Sequence, residues 1–438
     1  MKLVKLFVYK NICYMYDARK NKLVQLSAEV YEEIKHFLNN EFYSSETITS
    51  LQRKGYLLDS NIIALEHPFT AFLDNILNRQ ISTLVLQVTQ RCNFRCRYCT
   101  FANDDESTRA HNDATMSFEI AKKSIDFIAS HSCDTPEITI AFYGGEPLLN
   151  FDLIKNCVEY AENVIYNKPI SFSMTTNLFS ATDEIIDFLF DHQFRLLISL
   201  DGPELIHNNH RRLSYNGGGT YNTVFHNVKK IKEKNIDYFY SFVQFNPVVY
   251  LDEDPQKILD FYKNELDVPS SNVHLQRIDD TGLNIAYDPF TEFELQKKNT
   301  IFDSKINLYY QNVLNSKEDI TPCFHINGSC VPGANKLFVS VHGEFFPCEK
   351  INECNTNMMI GSISDGFDIN KIKYLMNIGE FNIDNCKNCW AIRFCNVCCA
   401  HCDDGESKLS KPLLSSKCNN TRLAVLNYLK KHIDSIST

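Results

Sequence analysis

The chain has 438 residues, 44% of them hydrophobic and 22% charged, enough for two or three domains with real cores and too apolar for a disordered chain. Its 44 Lys and Arg stand against 54 Asp and Glu, a net charge of -10, which argues against a nucleic-acid coat or a polybasic membrane binder. No apolar run reaches the roughly 18 residues that span a bilayer, and the opening MKLVKLFVYKNICYMYD is too often interrupted for a signal peptide. The chain therefore reads as cytoplasmic, where 17 cysteines mean metal or redox chemistry rather than disulfides.

Residues 1–80 carry one cysteine, three short β-type segments (Leu3 to Tyr9, Cys13 to Tyr16, Leu23 to Leu26) and two helical patterns, one capped by Ser27 with Val30, Ile34 and Phe37 at helical spacing, the other from Ser45 to Lys54. That is the pattern of a small winged-helix-like module. From 82 to 285, β-rich segments (Thr83 to Thr89, Glu137 to Tyr143, Ile170 to Thr176, Phe194 to Leu200, Tyr238 to Phe245, Val273 to Gln276) alternate with amphipathic helices. Six such units predict an α/β fold with a parallel sheet, a partial (β/α)6 barrel of TIM type, with functional groups after the strand ends. A helical bridge is expected over 286–319, from about Pro289 to Leu314, and a C-terminal helix over 421–438, whose Lys430, Lys431 and His432 suit a helix end. Between them, 320–420 holds eleven of the 17 cysteines and few periodic apolar runs, so metal ligation must supply part of its folding energy.

Directly after the first barrel-type strand comes CNFRCRYC. Cys92, Cys96 and Cys99 on one loop can hold three irons of a 4Fe-4S cube and leave the fourth open to a substrate or cofactor; a zinc site, which uses four ligands in paired spacings, is the alternative. Here the chain resembles the radical S-adenosylmethionine (radical SAM) superfamily. The resemblance implies that SAM binds the open iron, with Tyr98 against the adenine. Gly144, Gly145, Glu146 and Pro147 resemble the family's GGEP turn, which holds the methionyl ammonium. Ser199, Asp201 and Gly202, followed by His207 and Arg211, resemble the SLDGPxxxHDxxR stretch of the peptide-modifying branch, implying ribose contact by Ser199 and carboxylate contact by Arg211. Asn208 departs from that pattern, which has Asp. Leu275, with Gln276, sits where a sixth-strand residue meets the adenine.

The C-terminal cysteines look like a SPASM extension, which implies two auxiliary 4Fe-4S clusters and three clusters in all. Cys323, Cys330, Cys348 and Cys399 would hold the first, and Cys386, Cys389, Cys395 and Cys418 the second. Cys398 can replace Cys399, Cys402 crowds the same loop, and Cys354 can replace Cys348; without Cys323 the first auxiliary cluster would have an open iron. Cys13, Cys133 and Cys157 read as small buried hydrophobes, and Trp390 as packing over a cluster.

The resemblance implies an enzyme that takes a hydrogen atom from a ribosomally made precursor peptide and installs an oxidative cross-link, a Cys thioether to carbon first and a carbon–carbon link second. Residues 1–80 would bind the peptide's leader by adding its strand to a sheet edge, and a flavodoxin or ferredoxin would donate electrons. An anaerobic sulfatase-maturating enzyme is the alternative, with Glu349 after Cys348 as base. A non-catalytic iron–sulfur electron carrier is the alternative of another class.

Overall fold

The structure is a computed structural model that describes residues 2–40, 42–99, 101, 110–250, 252–277, 303–326, 328, 330–404 and 409–436. At the N-terminus β1 (Val4–Tyr9), β2 (Ile12–Asp17) and β3 (Lys22–Leu26) form an antiparallel meander. Lys10 and Asn11 turn the first hairpin with φ of 50° and 63°, the left-handed conformation that two-residue hairpin loops require. Helices Ala28–Asn39 and Glu46–Arg53 follow, capped by the hydroxyls of Ser27 and Ser45. One face of the meander, through Met15 and Val24, packs on Ile34, Phe37 and Ile48 of these helices. The other, through Phe7, Tyr14 and Tyr16, joins the main core, so the module is built onto the rest of the molecule.

After β4 (Ala64–Leu65) come β5 (Thr83–Thr89), β6 (Ile138–Gly144), β7 (Ile170–Thr176), β8 (Arg195–Ile198) and β9 (Val243–Phe245), all parallel in sequence order. Helices Phe118–His131, Phe151–Val164, Asp183–Asp191 and Tyr221–Lys234 supply the crossovers. β5 is buried from Leu84 to Thr89, as a strand covered on both faces must be. β10 (Val248–Val249) and β11 (Gln276–Arg277) pair in parallel, and β12 (Cys323–Phe324) pairs with β4. Then β13 (Lys336–Val339), β14 (Glu344–Phe346), β15 (Gly361–Ser362) and β16 (Gly366–Phe367) complete a nine-stranded sheet in the order β16-β15-β14-β13-β5-β6-β7-β8-β9.

The α/β expectation holds, with three differences. The segment expected as a strand from Tyr238 is a helix, Ile236–Phe242, and only Val243–Phe245 is strand; Asn235 caps it by accepting from the Tyr238 N–H at 2.8 Å, a local bond that outweighs the β preference of the aromatic run. The cysteine-rich segment is no separate layer, because β13 runs parallel to β5 and extends the barrel sheet. The last helix starts at Lys411 instead of 421 and carries Cys418. Of the helical bridge, 286–302 lies outside the described residues, and helix Asp303–Asn315 is its remainder.

Candidate active site

The loop from Cys92 to Cys99 leaves the C-terminal end of β5 and is held from behind by the segment that follows helix Glu204–His210. Arg97 N–H donates to His210 O at 3.0 Å, Arg95 N–H to Arg212 O at 2.8 Å and Ser214 N–H to Asn93 O at 2.9 Å. This short antiparallel zipper fixes the cysteines and places Arg211 beside them. All three thiols line one cavity of about 260 Å3, together with Tyr98, Gly144, Gly145, Glu146, Thr176, Asn177, Ser199 and Arg211. Pro147 and Asp201 stand behind that wall, and Leu275 lies outside it. Burial pushes the Cys92 and Cys96 thiols up to about 12, so they become thiolates only against a strong cationic partner. Among the described residues no three His, Cys, Asp or Glu groups converge on a single-ion site; three soft donors bordering one cavity fit an iron–sulfur cluster.

The Gly-Gly-Glu turn is packed from below. A Cβ on Gly144 or Gly145 would run into the backbone carbonyl of Thr89 or Arg91, and Gly144 has φ 151°, so only glycine lets the end of β6 lie against the root of the cysteine loop. Glu146 is fully buried and accepts from Thr176 Oγ1 at 2.6 Å, Asn177 N at 2.7 Å and Leu148 N at 3.1 Å. Burial raises its pKa to about 7, against the pull of those donors. Its carboxylate thus ties β6 to the end of β7 while bordering the cavity.

Asp201 and Arg211 form a buried fork, Nε to Oδ2 at 2.9 Å and Nη2 to Oδ1 at 3.0 Å. Asp201 also accepts from Tyr98 OH at 2.8 Å and Val248 N at 3.0 Å, and the Arg211 guanidinium lies 5.3 Å over the Tyr98 ring. Although burial opposes ionisation, the adjacent guanidinium holds Asp201 below its usual range. His207 supports this pair: its Nδ1 accepts from Asp201 N at 3.2 Å and its Nε2 meets Thr220 Oγ1 at 2.9 Å. Asn208 accepts from Thr220 N and Tyr221 N at 2.8 and 3.0 Å, so the amide oxygen that stands where the pattern has Asp caps helix Tyr221–Lys234.

Several contributors escaped the sequence reading. His111 Nε2 lies 3.6 Å from Cys99 Sγ and its Nδ1 3.3 Å from Gln90 O; twelve residues beyond the motif, it carries no local signal. Gln87 and Gln90 donate to Glu353 at 2.5 and 3.1 Å, tying the root of the loop to the segment bearing Cys348.

A second cavity of about 460 Å3 adjoins the first, sharing Tyr143 and Thr175, and is lined by inward residues of β5 to β9 and by Lys336 and Glu349. Glu349 accepts from Lys336 Nζ at 2.9 and 3.1 Å. Further along, burial and then the neighbouring Cys398, Cys330 and Cys348 push Cys399 well up, while burial takes Cys348 to about 11. Cys386 and Cys395 rise to about 12 by burial, with Cys389 and Cys418 beside them. Arg422, one turn after Cys418, counters that rise and bonds Cys389, a residue the sequence reading missed. Cys402 is buried near Cys398, Cys418 and Cys395. Cys323 is exposed on β12 and is not among the thiols that raise Cys330, Cys348 or Cys399; Cys354 is exposed too. Cys157 is buried as expected, but Cys133 is exposed. Trp390 packs against Tyr16 (6.4 Å) and under Lys5 (5.8 Å) of the N-terminal meander.

Residues 86–264 match the family model of the radical SAM superfamily. The chain is 23% identical over 427 residues to the radical SAM cyclopropyl synthase TigE of Paramaledivibacter caminithermalis, covering 90% of this chain and 82% of that protein. It is 23% identical over 357 residues to a cysteine-type anaerobic sulfatase-maturating enzyme of Clostridium perfringens, covering 74% of this chain and 90% of that one. Among solved structures, native anSMEcpe with bound AdoMet superposes with a TM-score of 0.60 at 19% identity, over 81% of this chain and 99% of that one. The same enzyme with AdoMet and the Cp18Cys peptide gives 0.59, also at 19% identity, over 82% of this chain and 99% of that one.

Proposed function

We propose that this chain, whose residues 86–264 are a radical SAM domain, is a maturase that forms an oxidative cross-link in a ribosomally made peptide. The observation that carries the reading is the pair of adjoining cavities, one bordered by three thiols and the other by the inward faces of β5 to β9. Cys92, Cys96 and Cys99 would hold the 4Fe-4S cluster, and Tyr98, Gly144, Gly145, Ser199 and Arg211 would surround SAM. When bound and reduced, that pair supplies a 5′-deoxyadenosyl radical able to take a hydrogen atom from carbon.

The chain's own part is to orient, exclude water and move a proton. The Asp201–Arg211 fork fixes one wall of the first cavity without rearrangement. In the second, Glu349, which accepts from Lys336, would accept the proton released when two substrate atoms join. Cys330, Cys348, Cys398 and Cys399, and Cys386, Cys389, Cys395 and Cys418, are the thiol sets that would hold auxiliary clusters able to take up an electron. Residues 1–80 would present a sheet edge to the peptide's leader.

A Cys thioether is the first expected product. A carbon–carbon ring is the second, favoured by the likeness to a cyclopropyl synthase over 90% of this chain. The test is anaerobic turnover with SAM, reductant and the small Cys-containing peptide encoded beside the gene, read by tandem mass spectrometry. Loss of two hydrogens with the thiol consumed supports the thioether, and the same loss with the thiol still alkylatable supports the ring. Cys96→Ala should abolish 5′-deoxyadenosine formation. Deoxyadenosine with no change in the peptide would overturn the peptide reading and favour sulfatase-type maturation.

A further inference from the structure

Side chains alternate along a strand. On β8 and the residue after it, Leu196 and Ile198 are buried in the core, whereas Arg195 and Leu197 line the second cavity and Ser199 lines the first. Arg195 is therefore an inward-facing cation on a barrel strand, at a place that a packed barrel core fills with branched apolar residues. Lys336 and Glu349, on the same cavity, pair with each other at 2.9 Å. Among the described residues no carboxylate or carbonyl bonds the Arg195 guanidinium. Nor, among them, does any group bond the hydroxyl of Ser173, which stands opposite Arg195 in the β7–β8 register and lines the same cavity.

A guanidinium open to solvent costs little, but one covered by a bound substrate without a counter-charge is left desolvated and unpaired. Its planar fork matches one carboxylate in two parallel bonds, and the Ser173 hydroxyl beside it is free to donate a third. The several phosphates of a nucleotide would meet only this one unspent cation. The junction of the two cavities is marked by Thr175, which lines both and pairs with Leu197. Leu197 is two residues along β8 from Arg195, about 7 Å, and an extended peptide covers that distance in about two residues.

We propose that Arg195 selects the substrate by binding a carboxylate of the precursor peptide about two to four residues from the residue that loses hydrogen, a reading that rests on the peptide-maturase assignment. The upper figure allows for the length of the two side chains. Arg195 is a specificity residue: it makes and breaks no covalent bond, and it fixes which carbon of the peptide reaches the junction of the cavities. An Asp or Glu side chain and the peptide's own C-terminus offer the same chemistry.

The test uses the full, anaerobically reconstituted chain with SAM, reductant and the Cys-containing peptide encoded beside the gene. Each Asp and Glu of the peptide is replaced singly by Asn or Gln, and a further peptide carries a C-terminal amide; kcat and KM for cross-linking are read by mass spectrometry. One of these peptides, altered about two to four residues from the modified one, should show KM raised at least roughly ten-fold with kcat little changed. If the amide is the sensitive peptide, the C-terminus is the group held; if a replaced Asp or Glu is, the side chain is. Arg195→Gln should raise KM for the unaltered peptide by a similar factor and add nothing further with the altered one. Where the group is a side chain, Arg195→Glu should regain most of the loss with a peptide bearing Lys there, which a merely structural arginine would not allow. Should the variants lose iron, the peptide series on the wild type decides alone. An unchanged KM across that series, or equal sensitivity to it in an iron-replete Arg195→Gln, would overturn the proposal. 5′-Deoxyadenosine with no change in any peptide would instead break the maturase premise, and the selection proposal with it.

Discussion

Asp201 is the most heavily used carboxylate at the site: Arg211, Tyr98 and Val248 all donate to it in the interior. Arg211→Ala would leave that anion buried and unpaired, and should cost about 3–5 kcal/mol in chemical denaturation. Arg211→Lys keeps the charge but not the fork, and should recover only part of the loss. His207 sets a pH dependence. It is buried and held neutral, with burial pushing its pKa from 6.5 down to about 3, and protonation of Nδ1 would break its bond to the Asp201 N–H. Between those values the unfolded chain takes up a proton that the folded one refuses. Its contribution is therefore full above about pH 6.5 and is lost as the pH falls, by up to about 1.4 kcal/mol per unit. Urea unfolding at about pH 7 and 5 should show a steeper loss for the wild type than for His207→Gln. The residue types at this site were legible because Ser199, Asp201, His207 and Arg211 stand at motif spacing. Their internal bonds were not, because spacing does not show that Glu146 accepts from Thr176 and Asn177 or that Asn208 caps a helix.

The cysteine loop and the segment from His210 to Ser214 act as one unit, two pieces of chain far apart in sequence and hydrogen-bonded side by side. The glycine turn at the end of β6 is wedged under that unit. Gly145→Ala would push a methyl group into the Arg91 carbonyl and should cost about 1–3 kcal/mol by overpacking. The displaced loop should also hold less iron, which thermal melts and iron analysis of the same preparation would show together. Strands buried on both faces were legible as apolar runs bounded by turns, and the first helix by its cap at Ser27. The aromatic run from Tyr238 was misread because one capping side chain decided it. The zipper was invisible because non-local pairing leaves no period in the sequence.

The three parts of the molecule share one framework. Arg393, buried beside Cys395, donates Nε to Ala18 O at 2.5 Å and Nη2 to Arg19 O at 3.3 Å, and Tyr16 packs on Trp390 and Phe394. Arg393→Ala should therefore loosen the N-terminal module, by about 1.5–3 kcal/mol for lost charge-assisted bonds, seen as earlier proteolysis between residues 40 and 80. Removal of residues 1–80 should lower the melting temperature of the remainder as well as weaken leader binding, because it uncovers Trp390 and Phe394 and takes β4 from β12. The fusion of these parts was not legible in the sequence, since nothing in Lys336 to Val339 announces that it pairs with Thr83 to Leu86. That pairing has a consequence during synthesis. The free edge of β5, one of the most apolar strands, waits for a partner made roughly 250 residues later, some 12–50 s at ribosomal speeds of 5–20 residues per second. Until then the nascent chain trails an unpaired strand edge, so its protection by a chaperone is a task for the time of synthesis itself.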